Sequence, residues 1–358
     1  MSAATPPSDS PLDHTAHPLL KSRGTFTATI KDNRRLCTDH YLLAMSIRHF
    51  PLSAPGQFLQ IECADPHMAA DHEATPHAFD WPPPHPLKTG GGQDSGLKTY
   101  STTDPDFNAP LPFLRRPFSI ARHRTWPDGY TELEILHRVV GKGTLQLAQL
   151  RPGQKISIIG PLGKGFTFPS TLEHACLVGG GVGIPPMFYL ADALSRSMMH
   201  NVTAFVGAQR HDLLPLTLTS DVLPASPEGD PVLNVEEFSE FDYPTAITTD
   251  DGSLGMKGFV TDALRRFLQK RLEQNGHLQN VIVYCCGPTP MMKATARLAA
   301  AFNVPCQVSL EQPMACGMGT CQSCIIRHKP HTADPAMEWK YRLTCTDGPV
   351  FDARDILW

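Results

Sequence analysis

The chain is 358 residues long, 41% hydrophobic and 18% charged, with a formal net charge of −4. That length holds two or three domains with cores of their own. The charge gives no reason to expect a nucleic-acid partner, and the lack of any run of eighteen apolar residues gives none to expect a membrane-spanning helix. In chain order, residues 1–22 are rich in Pro, Ser, Asp and His and lack a basic start followed by an apolar core. They are expected to form an unstructured tail, with the protein cytoplasmic. From Gly24 to Cys63 short alternating runs (Thr25–Ile30, Tyr41–Ile47, Gln57–Glu62) are broken by turn residues, which predicts a small antiparallel β-barrel. The stretch 64–114, with Trp81-Pro-Pro-Pro-His-Pro86 and Gly90-Gly-Gly, is too rich in proline and glycine for a packed element and reads as a surface insertion.

Order resumes at Arg115-Arg116-Pro117-Phe118-Ser119. An arginine three residues before a serine on one strand can hold a flavin, the guanidinium by paired hydrogen bonds to phosphate. A further strand, Thr131–Val140, runs into Gly141-Lys142-Gly143-Thr144 and a short helix. The start of that helix offers backbone N–H groups to an anion, or is simply capped by its threonine. A turn, a strand and a glycine-rich exit close this first unit, 23–168.

The second unit, 169–303, should bind a nicotinamide nucleotide in an α/β fold with a parallel sheet. Ala175–Gly179 is an uninterrupted apolar run, as expected of a strand buried on both faces. It delivers Gly180, Gly181 and Gly183 into a helix, where glycines let backbone approach a pyrophosphate. Val202–Gln209 reads as the next strand, and Thr248–Gly255, which contains Asp250, as a polar turn suited to the ribose or nicotinamide side. Val281–Cys286 is another buried strand ending in Cys286-Gly287-Pro288, at the strand end where open α/β sheets bind ligands. Cys286 is placed near the nicotinamide but not as a catalytic thiol, because no His or Lys adjoins it to lower its pKa. No catalytic side chain is assigned.

The third unit, 304–358, carries Cys316, Cys321 and Cys324, then Cys345. Four residues separate the first pair, two the second and twenty precede the last, the ligand spacing of a plant-type [2Fe–2S] cluster. Gly317 and Gly319 let the loop fold back over two irons. Zinc knuckles prefer two C-x2-C pairs, and only one is present here. The other cysteines, Cys37, Cys63, Cys176, Cys285, Cys286 and Cys306, mostly sit among apolar neighbours and read as small buried hydrophobes.

These pieces, in this order, resemble the ferredoxin reductase superfamily and, within it, the electron-transfer subunits of class 1B dihydroorotate dehydrogenase. The resemblance rests on Arg116-Pro-Phe-Ser, Gly141-Lys-Gly-Thr, Gly179-Gly-Gly-Val-Gly, Thr249-Asp-Asp-Gly-Ser, Cys286-Gly-Pro and, most specifically, Glu311–Cys324. It implies FAD held by Arg116 to Ser119, by Leu136, His137 and Arg138, and by Gly143 and Thr144, with the four cysteines as cluster ligands. It further implies a partner catalytic subunit carrying FMN, in a heterotetramer, whose electrons pass through the cluster and FAD to NAD⁺ in pyrimidine biosynthesis. The order has a chemical cause: nicotinamide takes two electrons as hydride and the cluster carries one, so a flavin must convert between them. Alternative readings are a reductase serving ferredoxin, a hydrogenase or a sulfur acceptor, and a redox-sensing regulatory protein without turnover. The long insertion, the long span from Cys324 to Cys345, and Gln209 where relatives often carry Arg depart from the pattern.

Overall fold

The computed structural model describes residues 23–63, 114–219, 225–332, 334 and 337–358. The expected N-terminal tail and nearly all of the expected insertion lie outside the described residues. Strands β1 (Gly24–Cys37), β2 (His40–Arg48), β3 (Phe58–Ile61), β4 (Arg116–Thr125) and β5 (Tyr130–Arg138), the helix α1 (Lys142–Gln149) and strand β6 (Lys155–Leu162) form the first unit. Its strands close into a six-stranded antiparallel barrel in the order β1-β2-β5-β4-β3-β6. Alternation sends Ile30, Leu43, Met45, Leu59, Ile61, Ile120, Leu133, Ile135 and Ile158 inward to one core. The barrel is filled by side chains, so a ligand must lie outside it.

The remaining elements are β7 (His174–Gly180), α2 (Pro185–Arg196), β8 (Val202–Ala208), α3 (Glu236–Ser239), β9 (Thr245–Thr249), β10 (Met256–Lys257), α4 (Val260–Asn275), β11 (Val281–Cys286), α5 (Thr289–Ala301), β12 (Cys306–Ser309), β13 (Ile325–His328), β14 (Lys340–Leu343) and β15 (Val350–Asp352). A seven-stranded sheet runs β10-β9-β8-β7-β11-β12-β15, parallel except for β15, which pairs antiparallel with β12. Its central strands β7 and β11 are buried along their whole length. α2 packs on one face and α4 and α5 on the other, each over its own apolar cluster. The boundary expected at 303/304 falls between α5 and β12. Yet β12 pairs with β11 and β15 with β12, so both ends of the segment expected to be a separate cluster unit are built into the nucleotide sheet. Between them β13 and β14 form a two-stranded hairpin.

α2 also leans on β4 of the barrel. Tyr189 donates to the Ser53 carbonyl at 2.6 Å, and the Ser53 hydroxyl lies 2.6 Å from His123 Nδ1. His123 is buried there, and desolvation pushes its pKa down to about 4, so the network is neutral near pH 7.

Candidate functional site

Two cavities meet along the joint between barrel and sheet. The first, of about 720 Å³, is lined by Arg116, Pro117, Phe118 and Ser119 of β4, by Leu136, His137 and Arg138 at the end of β5, and by Gly143 and Thr144 of α1. All the residues expected at a flavin thus face one space, of a size usual for a cofactor site. The two neighbouring arginines differ in what they do. Arg115 is engaged by the Ser157 carbonyl and hydroxyl, each at 2.8 Å, and by Glu62 at 3.2 Å. Arg116 is held by the Leu114 carbonyl at 2.8 Å and has no carboxylate partner among the described residues. Its charge therefore remains to be matched by an anion in the cavity.

The Gly-Thr pair does not act as an ordinary N-cap. Thr144 lies inside α1, and its hydroxyl accepts from the Val140 and Gly141 N–H groups at 2.9 and 3.2 Å while donating to the Gly141 carbonyl at 3.0 Å. The first turn of α1 carries no acidic residue and opens on the cavity through Lys142 and Gly143. A phosphate is favoured at such a helix end. Both ring nitrogens of buried His137 and the Nε of Arg138 lack hydrogen-bond partners among the described residues. Buried polar atoms are seldom left so, and these, lining the cavity, fit a polar occupant. Burial pushes the His137 pKa down to about 4, helped by nearby His40. The ring is therefore neutral at pH 7, one nitrogen donating and the other accepting.

The second cavity, of about 580 Å³, lies over the carboxyl ends of the parallel strands and is lined by Gly180, Gly181, Ala208, Gln209, Thr248, Asp250 and Pro288, among others. The chain leaves β7 toward β8 on one side and β11 pairs on the other, which makes this the switch point where open sheets bind nucleotides. Arg138 and Val182 line both cavities, so the two spaces communicate. Cys286, expected near the nicotinamide, lines the first cavity rather than the second. Its thiol is held well above the ordinary range by burial and then by Glu311, which keeps it a neutral thiol. Gly183 and Gly287, expected at the nucleotide, line neither cavity. A Cβ at Gly183 would run into the Cys286 carbonyl and the Gly287 amide, so the glycine is there for backbone contact between the loops after β7 and β11.

Cys316, Cys321 and Cys324 lie on the loop that enters the β13–β14 hairpin, and Cys345 lies in the turn just after it. Cys324 and Cys345 are buried, and the Thr344 N–H donates to the Cys324 carbonyl at 3.0 Å. Met318 and Cys321 both aim backbone N–H groups at Cys316 Sγ, 3.4 Å away, as a thiolate there requires. The thiols fall into two pairs, Cys321 beside Cys316 and Cys345 beside Cys324, matching two irons that take two thiolates each. Hydrogen bonds from Ser323, then Cys316, hold the Cys321 thiol down to about 6. A tetrahedral zinc, with Zn–S about 2.3 Å, would hold all its sulfurs within about 3.8 Å of one another. Among the described residues, no three cysteine sulfurs lie within 4.8 Å of each other; only His331, Asp352 and Asp355 form such a group, and there Arg354 already binds Asp352 and His331 binds Asp355. The thiols therefore fit a two-iron cluster better than zinc. Of the other cysteines, Cys63, Cys176, Cys285, Cys286 and Cys306 are buried and Cys37 is half-buried.

Sequence reasoning missed the far wall of the first cavity: Phe58, Ser309, Leu310, Glu311, Gln312, Met314 and Pro349. Four of these follow from the course of β12, whose four residues were too few to show a period. Desolvation raises the Glu311 carboxyl above the ordinary carboxylate range. Phe58 has no local signal of a role, yet it belongs to one packed cluster with Leu162, Cys324 and Cys345, and Met314 packs against the same group. The cavity wall and the cluster surround are thus shared.

Comparison with known proteins follows the same division. Residues 177–297 match the oxidoreductase NAD-binding domain, and residues 311–357 match the iron-sulfur cluster binding domain of dihydroorotate dehydrogenase B. A dihydroorotate dehydrogenase B (NAD⁺) electron transfer subunit of Desulforamulus reducens is 34% identical over 247 residues, covering 69% of this chain and 81% of that protein. The corresponding subunit of Bacillus caldolyticus is 36% identical over 249 residues, with 69% and 81% covered. Among solved structures, an NADH-dependent reduced ferredoxin-NADP oxidoreductase superposes with a TM-score of 0.59 at 25% identity, covering 92% of this chain and 90% of that one.

Proposed function

The chain belongs to the family of electron-transfer subunits of dihydroorotate dehydrogenase B, and from that premise we propose how its parts divide the work. It is an oxidoreductase subunit that passes electrons from a partner dihydroorotate dehydrogenase catalytic subunit through a [2Fe–2S] cluster and FAD to NAD⁺, in pyrimidine biosynthesis. The observation that carries this reading is Phe58, which faces the first cavity and belongs to one packed cluster with Leu162, Cys324 and Cys345, so that flavin and cluster sites are neighbours with no separate domain between them.

Arg116 and the first turn of α1 would hold the FAD pyrophosphate, while Ser119, His137 and Arg138 would satisfy its remaining polar edges. Bound there, FAD exchanges single electrons with the cluster and a hydride with nicotinamide. Gly180, Gly181, Asp250 and Pro288 would hold the nucleotide, with Val182 and Arg138 at the passage between the cavities. Arg210, the nearest candidate for a 2′-phosphate, is already paired with Asp212 at 3.0 and 3.1 Å, which favours NAD over NADP. Cys316, Cys321, Cys324 and Cys345 would ligate the cluster. Residues 23–168 would be the flavin unit and the sheet, including β12 and β15, the nucleotide unit. The cluster segment would then be a loop and hairpin set between those two strands.

The catalytic subunit is proposed to carry FMN and to join this chain in a heterotetramer. Met318 and Ile325, apolar residues flanking the cysteines, are exposed, as are Met337, Trp339 and Tyr341. Met314 and Ile326 instead pack inward. No helix among the described residues is long and apolar enough to cross a membrane. With NADH, the isolated chain should reduce artificial acceptors but not oxidise dihydroorotate. Adding the FMN-containing subunit should establish dihydroorotate-to-NAD⁺ transfer. Dihydroorotate oxidation by the isolated, FMN-free chain would overturn the division of labour.

A further inference from the structure

Strand β3 is buried along all four residues. Its alternation turns Leu59 and Ile61 into the barrel core, and therefore Phe58 and Gln60 to the outside. On that outer face Phe58 joins one packed cluster with Leu162, Cys324 and Cys345. Gln60 lies at 0% exposure, and neither its Oε1 nor its Nε2 has a hydrogen-bond partner among the described residues. It does not line the flavin cavity. What it touches is the cluster loop: a Cβ built on Gly317 would lie 2.7 Å from Gln60 Cγ and 2.8 Å from Nε2. Gly317, at φ +70°, directly follows Cys316, so the residue must be glycine both for its backbone and to admit the amide. On the other side of the cysteines, the Thr344 hydroxyl, next to Cys345, is also fully buried and without a partner. Burying an amide with both ends unpaired is costly. Two such groups bracketing the ligand loop point to an acceptor that the cysteines hold between them.

We propose that Gln60 donates its Nε2–H to a sulfur on the Cys316 side of the cluster, so that a residue of the flavin barrel sets the cluster's reduction potential. The proposal rests on the reading of the four cysteines as [2Fe–2S] ligands. Reduction adds a negative charge to the cluster, and a fixed N–H donor stabilises the more negative state, which raises the potential. Gln60 acts here as a positioning and tuning residue; it carries no electron itself.

The test is an EPR-monitored redox titration of the full chain with FAD bound, after iron and labile sulfide have been measured. Gln60→Met keeps the length of the side chain without the donor, and Gln60→Glu keeps its shape but replaces the donor by a carboxylate. At the potential that half-reduces the wild-type cluster, the oxidised-to-reduced ratio should rise about tenfold in Gln60→Met, which is about 59 mV for one electron. It should rise further in Gln60→Glu, with the flavin midpoint unchanged in both. A wild-type cluster potential in either variant that keeps its cluster overturns the proposal, as does a flavin midpoint that moves together with it. Loss of the cluster from both variants also overturns it, making Gln60 a prop for the loop. If only one variant keeps the cluster, its potential decides. Absence of iron and sulfide from the wild type would instead remove the cluster reading itself.

Discussion

Arg116→Ala tests the flavin site most sharply, because its neighbour supplies the control. The Arg116 guanidinium faces the first cavity with carbonyl partners only, whereas Arg115 is spent on Ser157 and Glu62. Removing a charge-assisted hydrogen bond to phosphate costs about 1.5 to 3 kcal/mol, or about ten- to a hundredfold in Kd. FAD affinity, read by quenching of flavin fluorescence as the apoprotein is titrated, should fall by that factor in Arg116→Ala. Arg115→Ala should leave it within about threefold, since the contacts it loses lie within the barrel and its rim ion pair contributes little. Unchanged affinity in Arg116→Ala, or equal losses in the two variants, would refute the assignment of the cavity.

Other expectations follow from the same geometry. Purified protein should contain two irons and two labile sulfides, and Cys321→Ser should lose them while retaining FAD; stoichiometric zinc would contradict the cluster. With Arg210 neutralised by Asp212, kcat/KM for NADH should exceed that for NADPH, and equality or reversal would count against NAD. His123 and His174 are buried, each with its pKa pushed down to about 4 by desolvation. Below about pH 6.5 the unfolded chain binds protons that the folded one does not. Stability should therefore decline as pH falls from 6.5 toward 4, by up to on the order of 3 kcal/mol per histidine. Urea unfolding at pH 7 and pH 5 checks this: stability that does not fall between them, or a slope that His174→Gln leaves unaltered, would contradict the account.

What could be read from the sequence was what is local. The four cysteines announce a cluster by their spacing, three of them on one loop that needs glycines to fold back on itself. The barrel strands show a period of two, and β7 and β11 show the continuous apolar runs of strands buried on both faces. What escaped was set by meetings across the chain. β12 and β15 have four and three residues, too few for a period, and they become sheet strands only because β11 offers an edge. Glu311 and Met314 reach the first cavity only because β12 aims the chain there. Gln60 sits in a run that reads as an ordinary barrel strand, and its outward turn matters only because Gly317 lies against it. The turn at Asp250 was legible from its polar, glycine-containing sequence, and it lines the second cavity. Trp339 and Tyr341 carried no periodic signal, and their exposed pair beside Arg327 is visible only once the β13–β14 hairpin has formed.

The central claim is that flavin stands between nicotinamide and cluster, with Phe58 on the wall shared by the first cavity and the packed cluster of Cys324 and Cys345. It is tested most directly by stripping FAD from protein that keeps its cluster, adding NADH without oxygen, and following the EPR signal of the reduced cluster. The account predicts no signal until FAD is restored, and then reduction of the cluster. A cluster reduced by NADH in the flavin-free protein, as fast as in the restored one, would contradict it.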